Sequence, residues 1–93
     1  MGKNSLMNKL TCPCCGFKTL DTEHYGSYTL CPVCFWEDDE VQIRNPTWGG
    51  ANLPLIDAQK NFIAFGACDE HGKKFVRSPL PDETKDELWK PFN

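Results

Sequence analysis

Long apolar runs are missing from the chain. The first ten residues, MGKNSLMNKL, contain no apolar stretch of the length that a signal-peptide core requires. Elsewhere no stretch approaches the roughly 18 consecutive apolar residues of a membrane span. We therefore expect a cytoplasmic protein, in a reducing compartment where closely spaced cysteines bind metal more often than they form disulfides.

Motifs for enzymatic chemistry are missing as well. The chain has no glycine-rich phosphate loop and no G-x-S-x-G nucleophile elbow. Its two histidines, His24 and His71, lie in polar turn segments, where exposure to solvent is the expected role. The sequence therefore predicts no catalytic residue, no enzymatic activity and no small-molecule substrate.

Basic residues are scarce in the middle of the chain. Between Lys18 and Lys60 the only basic residue is Arg44, against seven acidic residues, so this stretch carries a charge of 1 − 7 = −6. The seven acidic residues are Asp21, Glu23, Glu37, Asp38, Asp39, Glu40 and Asp57. Such a segment would repel a polyanion such as DNA. The charge disfavours nucleic-acid binding and favours a basic protein as the partner.

Cysteine, in contrast, is abundant, with six cysteines in 93 residues. Four of them form two pairs, Cys12 with Cys15 and Cys31 with Cys34, and residues 16–30 separate the pairs. This spacing is typical of four-cysteine zinc sites, because two thiolates on one tight turn can reach the same ion. Four thiolates complete the tetrahedral coordination of one zinc ion and leave no position for a reactive water.

The residues around each pair indicate how its turn is built. Pro13 and Pro32 restrict the backbone inside the two turns, and Gly16 can take the positive φ that closes the first one. Phe35 stands where the second turn would need the same glycine. We therefore expect the chain to continue from Phe35 into Trp36 in an extended conformation, with large rings covering the metal site.

Two alternatives to zinc remain open from the sequence. The cysteines would form a disulfide framework in an oxidising compartment, and a closed four-thiolate cage also suits a rubredoxin-like iron site. Cys14 is predicted to be a small residue inside the first turn, although a ligand or redox role is also open. Cys68 is predicted to be a small buried apolar residue.

Periodicity and turn residues predict the secondary structure. Short strands are expected at 16–20 and 27–30, and an extended segment at 41–44. The main helix is predicted at about 54–65 and a short C-terminal helix at 82–90. The apolar face of the main helix consists of Leu55, Ala58, Phe62 and Phe65.

Together these elements predict a small metal-stabilised α+β fold. Zinc-ribbon-like or rubredoxin-like cysteine turns with short strands pack against one main helix. We expect a flexible N-terminus over 1–9, a zinc-binding domain over 10–79, and a tail over 80–93 that carries the short C-terminal helix.

Four motifs in order give the chain a family resemblance. They are CPCCG at 12–16, CPVCFWEDD at 31–39, WGGAN at 48–52 and FGAC at 65–68. Over about residues 11–79 the chain closely resembles the bacterial cysteine-rich CPCC family. The resemblance implies a small bacterial metal-binding domain. Because some members look to be encoded near polymorphic-toxin genes, it also implies an immunity-type role.

The first functional hypothesis is a protein-interaction module, an immunity or inhibitor protein that binds a basic toxin. The residues expected to contact the partner are Glu37, Asp38, Asp39, Glu40 and Trp48, because acidic side chains attract a basic protein and tryptophan is common in interface centres.

Three other hypotheses remain. A zinc-ribbon-like nucleic-acid or translation accessory protein is favoured only by Lys73, Lys74 and Arg77. A rubredoxin-like electron carrier rests on the cysteine turns. The last hypothesis is a structural domain of a larger assembly.

Overall fold

The computed structural model describes residues 9–49 and 53–92 of the chain. Its regular elements are two short strands, two α-helices and one 3₁₀ helix. In chain order they are β1 (Leu10–Thr11), β2 (Lys18–Leu20), α1 (Glu40–Arg44), α2 (Leu55–Phe65) and the 3₁₀ helix His71–Lys74. The small metal-binding α+β architecture predicted from the sequence is confirmed.

Strands β1 and β2 form an antiparallel pair that carries the first cysteine turn between them. Leu10 lies opposite Leu20 and Thr11 opposite Lys18, with an irregularity between the two pairs. The connection contains residues 12–16, here called knuckle 1. The strand predicted at 16–20 is confirmed over β2, but its partner β1 was not predicted.

The second predicted strand, at 27–30, is reduced to one isolated bridge between Leu30 and Glu37. This bridge brackets residues 31–35, here called knuckle 2. The tight turn brings the two flanking residues together, but the chain on either side departs before a ladder can form. Tyr28, for example, has a φ of 61°, which is incompatible with a continuing strand.

The extended conformation predicted for 41–44 is wrong, because these residues belong to α1. The Asp39 carboxylate accepts a hydrogen bond of 2.9 Å from the Val41 N–H and so caps the helix. Glu40 and Arg44 then pair across one turn at 2.8 Å. The cap and this ion pair stabilise the short helix locally. This stabilisation outweighs the strand preference of its branched apolar residues.

The main helix is confirmed as α2. Gly66 ends it with a φ of 88°, and its N–H donates to the Phe62 carbonyl over 2.8 Å. Pro54 precedes the first helical residue as the N-cap. On the predicted apolar face, Leu55 and Ala58 are buried, whereas Phe62 and Phe65 are half-buried.

The helix predicted at 82–90 is wrong, since the described tail contains turns and one bridge, between Phe17 and Lys85. Its backbone groups pair with the first knuckle and with β2 instead of with one another. The Asp86 N–H donates to the Gly16 carbonyl over 2.8 Å, and the Lys18 N–H donates to the Thr84 carbonyl over 3.0 Å. These tertiary bonds occupy groups that a helix would need internally.

The core is built around the cysteines. Its other fully packed apolar residues are Leu20, Val33, Trp36, Leu55 and Ala58. The predicted covering role of Trp36 agrees with its burial in this cluster, where its indole N–H donates to the Gln42 side-chain oxygen over 3.2 Å.

In the described part of the chain, no helix has the length and apolar character needed to cross a membrane. Of the flexible N-terminus predicted at 1–9, residues 1–8 lie outside the described residues. The same holds for residues 50–52 of the loop that contains Trp48.

Candidate metal centre

Both knuckles are closed by the same pair of backbone hydrogen bonds. In knuckle 1 the Gly16 N–H donates to the Cys12 carbonyl, and in knuckle 2 the Phe35 N–H donates to the Cys31 carbonyl, each over 2.8 Å. The Cys12 N–H donates in turn to the Phe17 carbonyl, and the Cys31 N–H donates to the Trp36 carbonyl, each over 2.9 Å. The two turns therefore present their paired sulfurs from equivalent positions.

The extended conformation predicted for Phe35 is wrong. Its φ is 71°, close to the 83° of Gly16, so phenylalanine takes the left-handed conformation that glycine takes in knuckle 1. Neighbouring rings offset the strain: Phe35 stacks on Phe75 with centroids 4.8 Å apart and lies 6.3 Å from His71. Knuckle 2 is therefore a regular turn despite its bulky closing residue.

The four predicted ligands come together in one buried cluster. Their sulfurs all lie within 4.8 Å of one another, with Cys12 to Cys34 at 3.6 Å and Cys15 to Cys31 at 3.8 Å. Four sulfurs bound tetrahedrally to zinc would be about 3.8 Å apart, whereas a disulfide requires about 2.05 Å. All six cysteines are free thiols. The geometry fits a metal site and excludes the disulfide alternative.

Electrostatics also favours a cation at this position. Burial raises the pKa of Cys12 and of Cys34 well above the usual thiol value. Hydrogen bonds from the neighbouring thiols, Cys12 first, lower the pKa of Cys31. In the cluster on its own, burial therefore favours the protonated forms of Cys12 and Cys34, whereas the hydrogen bonds favour the thiolate of Cys31. A bound cation would compensate the charge of the others and allow all four sulfurs to act as ligands.

A family comparison agrees with this donor set. The family model described as Cysteine-rich CPCC matches residues 10–83, which include all four clustered cysteines. The chain belongs to the cysteine-rich CPCC family. No curated protein and no solved structure matches the chain. Membership in the CPCC family and the tetra-cysteine cluster together identify a small metal-binding module.

The second cysteine of the CPCC motif, Cys14, is fully buried but outside the cluster of mutually close sulfurs. It occupies the position in knuckle 1 that Val33 occupies in knuckle 2, which agrees with its predicted role as a small packing residue. Cys68 is buried as predicted, and its N–H donates to the Cys34 carbonyl over 2.7 Å. Burial raises the pKa of Cys68 to about 12.

Only part of the acidic run that was predicted to contact a partner lies on the surface. Asp38 is fully buried, and one of its carboxylate oxygens accepts from the Ser27 N–H over 3.0 Å and from the Ser27 hydroxyl over 2.7 Å. Its inclusion in an exposed contact surface is therefore wrong. Asp39 caps α1, and Glu40 pairs with Arg44 on the surface.

Two aromatic side chains, Trp48 and Tyr28, are open to solvent. Trp48, in the loop after α1, is 57% exposed, which favours a contact residue over a core residue. Tyr28 is 66% exposed and was not predicted as a contact residue. Its N–H donates to the Asp38 carbonyl over 2.9 Å, so it lies beside the acidic run. Both predicted surface histidines, His24 and His71, are exposed.

Sequence reasoning missed the residues that support the cluster from elsewhere in the chain. The Thr19 hydroxyl lies 2.9 Å from the Cys31 sulfur. The Pro13 carbonyl in knuckle 1 accepts from the Gln59 side chain over 2.8 Å and from the Trp89 indole over 2.7 Å. These contacts span up to 76 positions along the chain, so no local pattern signals them.

Proposed function

We propose that the chain is a zinc-binding protein-interaction module without catalytic activity, and that it binds a basic protein, such as a toxin that it would inhibit. The observation that supports the zinc site is the buried four-thiol cluster with sulfurs 3.6 to 4.8 Å apart. We propose zinc as the metal, a basic protein as the partner, and a reducing, cytoplasmic setting in which the thiols form no disulfides.

Zinc suits the donor set because it prefers thiolate ligands in a tetrahedral arrangement. Cys12, Cys15, Cys31 and Cys34 would fill all four positions, so the ion would hold the fold together and supply no site for an activated water. Iron would accept the same four sulfurs, and an electron carrier is the alternative that this donor set also supports.

Elemental analysis of the purified chain tests the metal. We expect one zinc per chain and no visible colour, whereas a red protein with thiolate-to-iron absorption would replace zinc with iron. Cys15→Ser should lose the metal and the cooperative fold, because metal binding in small domains supplies about 10–16 kcal/mol of apparent folding free energy. The adjacent Cys14→Ser is the matched control and should keep one zinc.

The acidic surface supports the partner proposal in a revised form. With Asp38 buried, the surface consists of Glu37, Asp39 and Glu40 beside the exposed ring of Tyr28, followed by Trp48 after α1. Acidic side chains would steer a basic protein towards the site, and the aromatic rings would supply apolar contact area.

Binding to a basic partner is tested with the product of the neighbouring gene. We expect co-purification, an association rate that falls as salt rises, and loss of binding when Glu37, Asp39 and Glu40 are changed to serine. Serine can still cap α1 at position 39, so the fold should survive. The control carries the same charge change at Asp57, Asp82 and Glu87. Binding that is equal in both triple variants and insensitive to salt would contradict the electrostatic mechanism.

One surface favours nucleic acid as a second candidate. Phe75 is half-exposed and stacks on Phe35 next to His71, and the 3₁₀ helix adds Lys73 and Lys74. Aromatic rings beside lysines are typical of surfaces that bind single strands. However, Lys73 already lies 3.4 Å from Glu70, which reduces the free positive charge. Tight binding of the purified chain to single-stranded RNA at physiological salt would favour this candidate.

A further inference from the structure

The four clustered sulfurs are not equivalent in their surroundings. The Cys31 sulfur has two hydrogen-bond donors from outside the thiols, the Thr19 hydroxyl at 2.9 Å and the Val33 N–H at 3.4 Å. Across residues 9–49 and 53–92, the other three clustered sulfurs have hydrogen-bond contacts only with thiols. The Val33 contact belongs to knuckle 2 itself, whereas Thr19 comes from strand β2.

The direction of the Thr19 contact follows from the chemistry of a metal ligand. A cysteine bound to a metal is a thiolate and has no proton to donate, so the Thr19 hydroxyl must be the donor. Thr19 is buried, with 3% of its surface exposed, so water cannot substitute for this bond. Hydrogen bonds to a charged acceptor in a dry site are among the stronger ones in proteins.

We propose that Thr19 is a positioning residue for the metal, and that its hydrogen bond makes Cys31 the most firmly held and least nucleophilic of the four ligands. The inference rests on the metal-binding part of the proposed function. A donor on the sulfur draws electron density away from the lone pairs that would attack an electrophile. It also fixes the orientation of the side chain, as partners behind metal ligands commonly do.

This asymmetry has a consequence for ligand exchange. Attack by an alkylating reagent, or transfer of the metal to a chelator, would begin at Cys12, Cys15 or Cys34 and reach Cys31 last. The residue that sets the order lies on β2, outside both CPxC motifs, so the reactivity of knuckle 2 depends on the strand that follows knuckle 1.

The test removes the hydroxyl and keeps the side-chain shape. Thr19→Val should weaken zinc binding about 10- to 100-fold in a chelator competition, the usual effect of losing a partner behind a ligand. With cobalt in place of zinc, the sulfur-to-cobalt charge-transfer band should shift in the same variant. Thr19→Ser should restore both properties. Thr22→Val is the matched control, because the Thr22 hydroxyl bonds the His24 carbonyl away from the sulfurs.

A second measurement uses the unaltered chain and therefore does not depend on how the variants fold. Timed reaction of the zinc-loaded protein with N-ethylmaleimide, mapped by mass spectrometry, should modify Cys31 last among the four ligands. Cys31 reacting first or together with the others would overturn the inference. So would an unchanged affinity and cobalt spectrum in Thr19→Val. A wild-type chain that binds neither zinc nor cobalt would instead overturn the metal-binding proposal.

Discussion

At the scale of single residues, knuckle 2 contains a phenylalanine in a conformation suited to glycine. The left-handed backbone costs an L-residue about 1–2 kcal/mol, and Phe35 adopts it with a φ of 71°. In exchange, its ring stacks on Phe75 and contacts His71, which attaches the 3₁₀ helix to the metal turn. Gly72 allows this approach, because a Cβ there would lie 3.1 Å from the Cβ of Phe35.

Replacing Phe35 by alanine and by glycine separates these two contributions. Both variants lose the ring contacts and should be less stable than the wild type. Alanine keeps the backbone strain, however, so Phe35→Gly should be more stable than Phe35→Ala by about 1 kcal/mol. Chemical unfolding with excess zinc measures the difference. An alanine variant as stable as the glycine variant would show that position 35 is not strained.

At the scale of secondary-structure elements, prediction succeeded where the signal was local. Helix α2 has an apolar periodicity and a terminal glycine, and the CPxC spacing by itself identifies the metal ligands. The helix prediction for the tail failed because Lys85 and Asp86 bond to Phe17 and Gly16, which lie more than 60 positions earlier in the chain. The prediction that Asp38 is exposed failed for the same reason. An acidic run indicates exposure unless the loop that buries one of its carboxylates is known.

Helix α2 allows a matched comparison of its two faces. Leu55 is fully buried in the cysteine core, whereas Ile63 is 64% exposed. Leu55→Ala should cost about 2–5 kcal/mol, because it removes packed atoms and leaves a cavity. Ile63→Ala should change stability by less than about 0.5 kcal/mol, since alanine is also a good helix former. Unfolding of both variants in excess zinc provides the measurement, and equal effects would contradict the assignment of the buried face.

At the scale of the whole molecule, a chain of this size has a small core and depends on connections between distant segments. The cysteine cluster joins the two knuckles, and the buried carboxylate of Glu83 joins the start of the described chain to the tail. Glu83 accepts from both terminal nitrogens of Arg77, at 2.8 and 3.0 Å, and from the Leu80 N–H at 2.8 Å. Lys9, just before β1, adds an ion pair at 3.5 Å.

The Glu83 site predicts a specific dependence of stability on pH. Hydrogen bonds from Arg77 lower the pKa of Glu83 from 4.5 to about 2 in the folded protein. A carboxylate with a lowered pKa stabilises the fold fully above its unfolded pKa, and this contribution is lost as pH falls from 4.5 towards 2. The contribution is at most about 3 kcal/mol, and less to the extent that water screens the partly exposed Arg77.

Glu83→Gln isolates this contribution from the acid lability of the thiolates. The variant should be less stable than the wild type by about 1–3 kcal/mol in zinc-loaded protein. Glu83 is ionised above pH 5 in both the folded and the unfolded protein. The difference in stability between the variant and the wild type should therefore stay constant between pH 7 and 5 and shrink only in stronger acid. Glu87→Gln, at an exposed carboxylate, is the control and should match the wild type throughout. A difference that does not shrink as pH falls below 4.5 would mean that Glu83 keeps an ordinary pKa in the folded protein, and that the tail is held to the knuckles mainly by its backbone bonds.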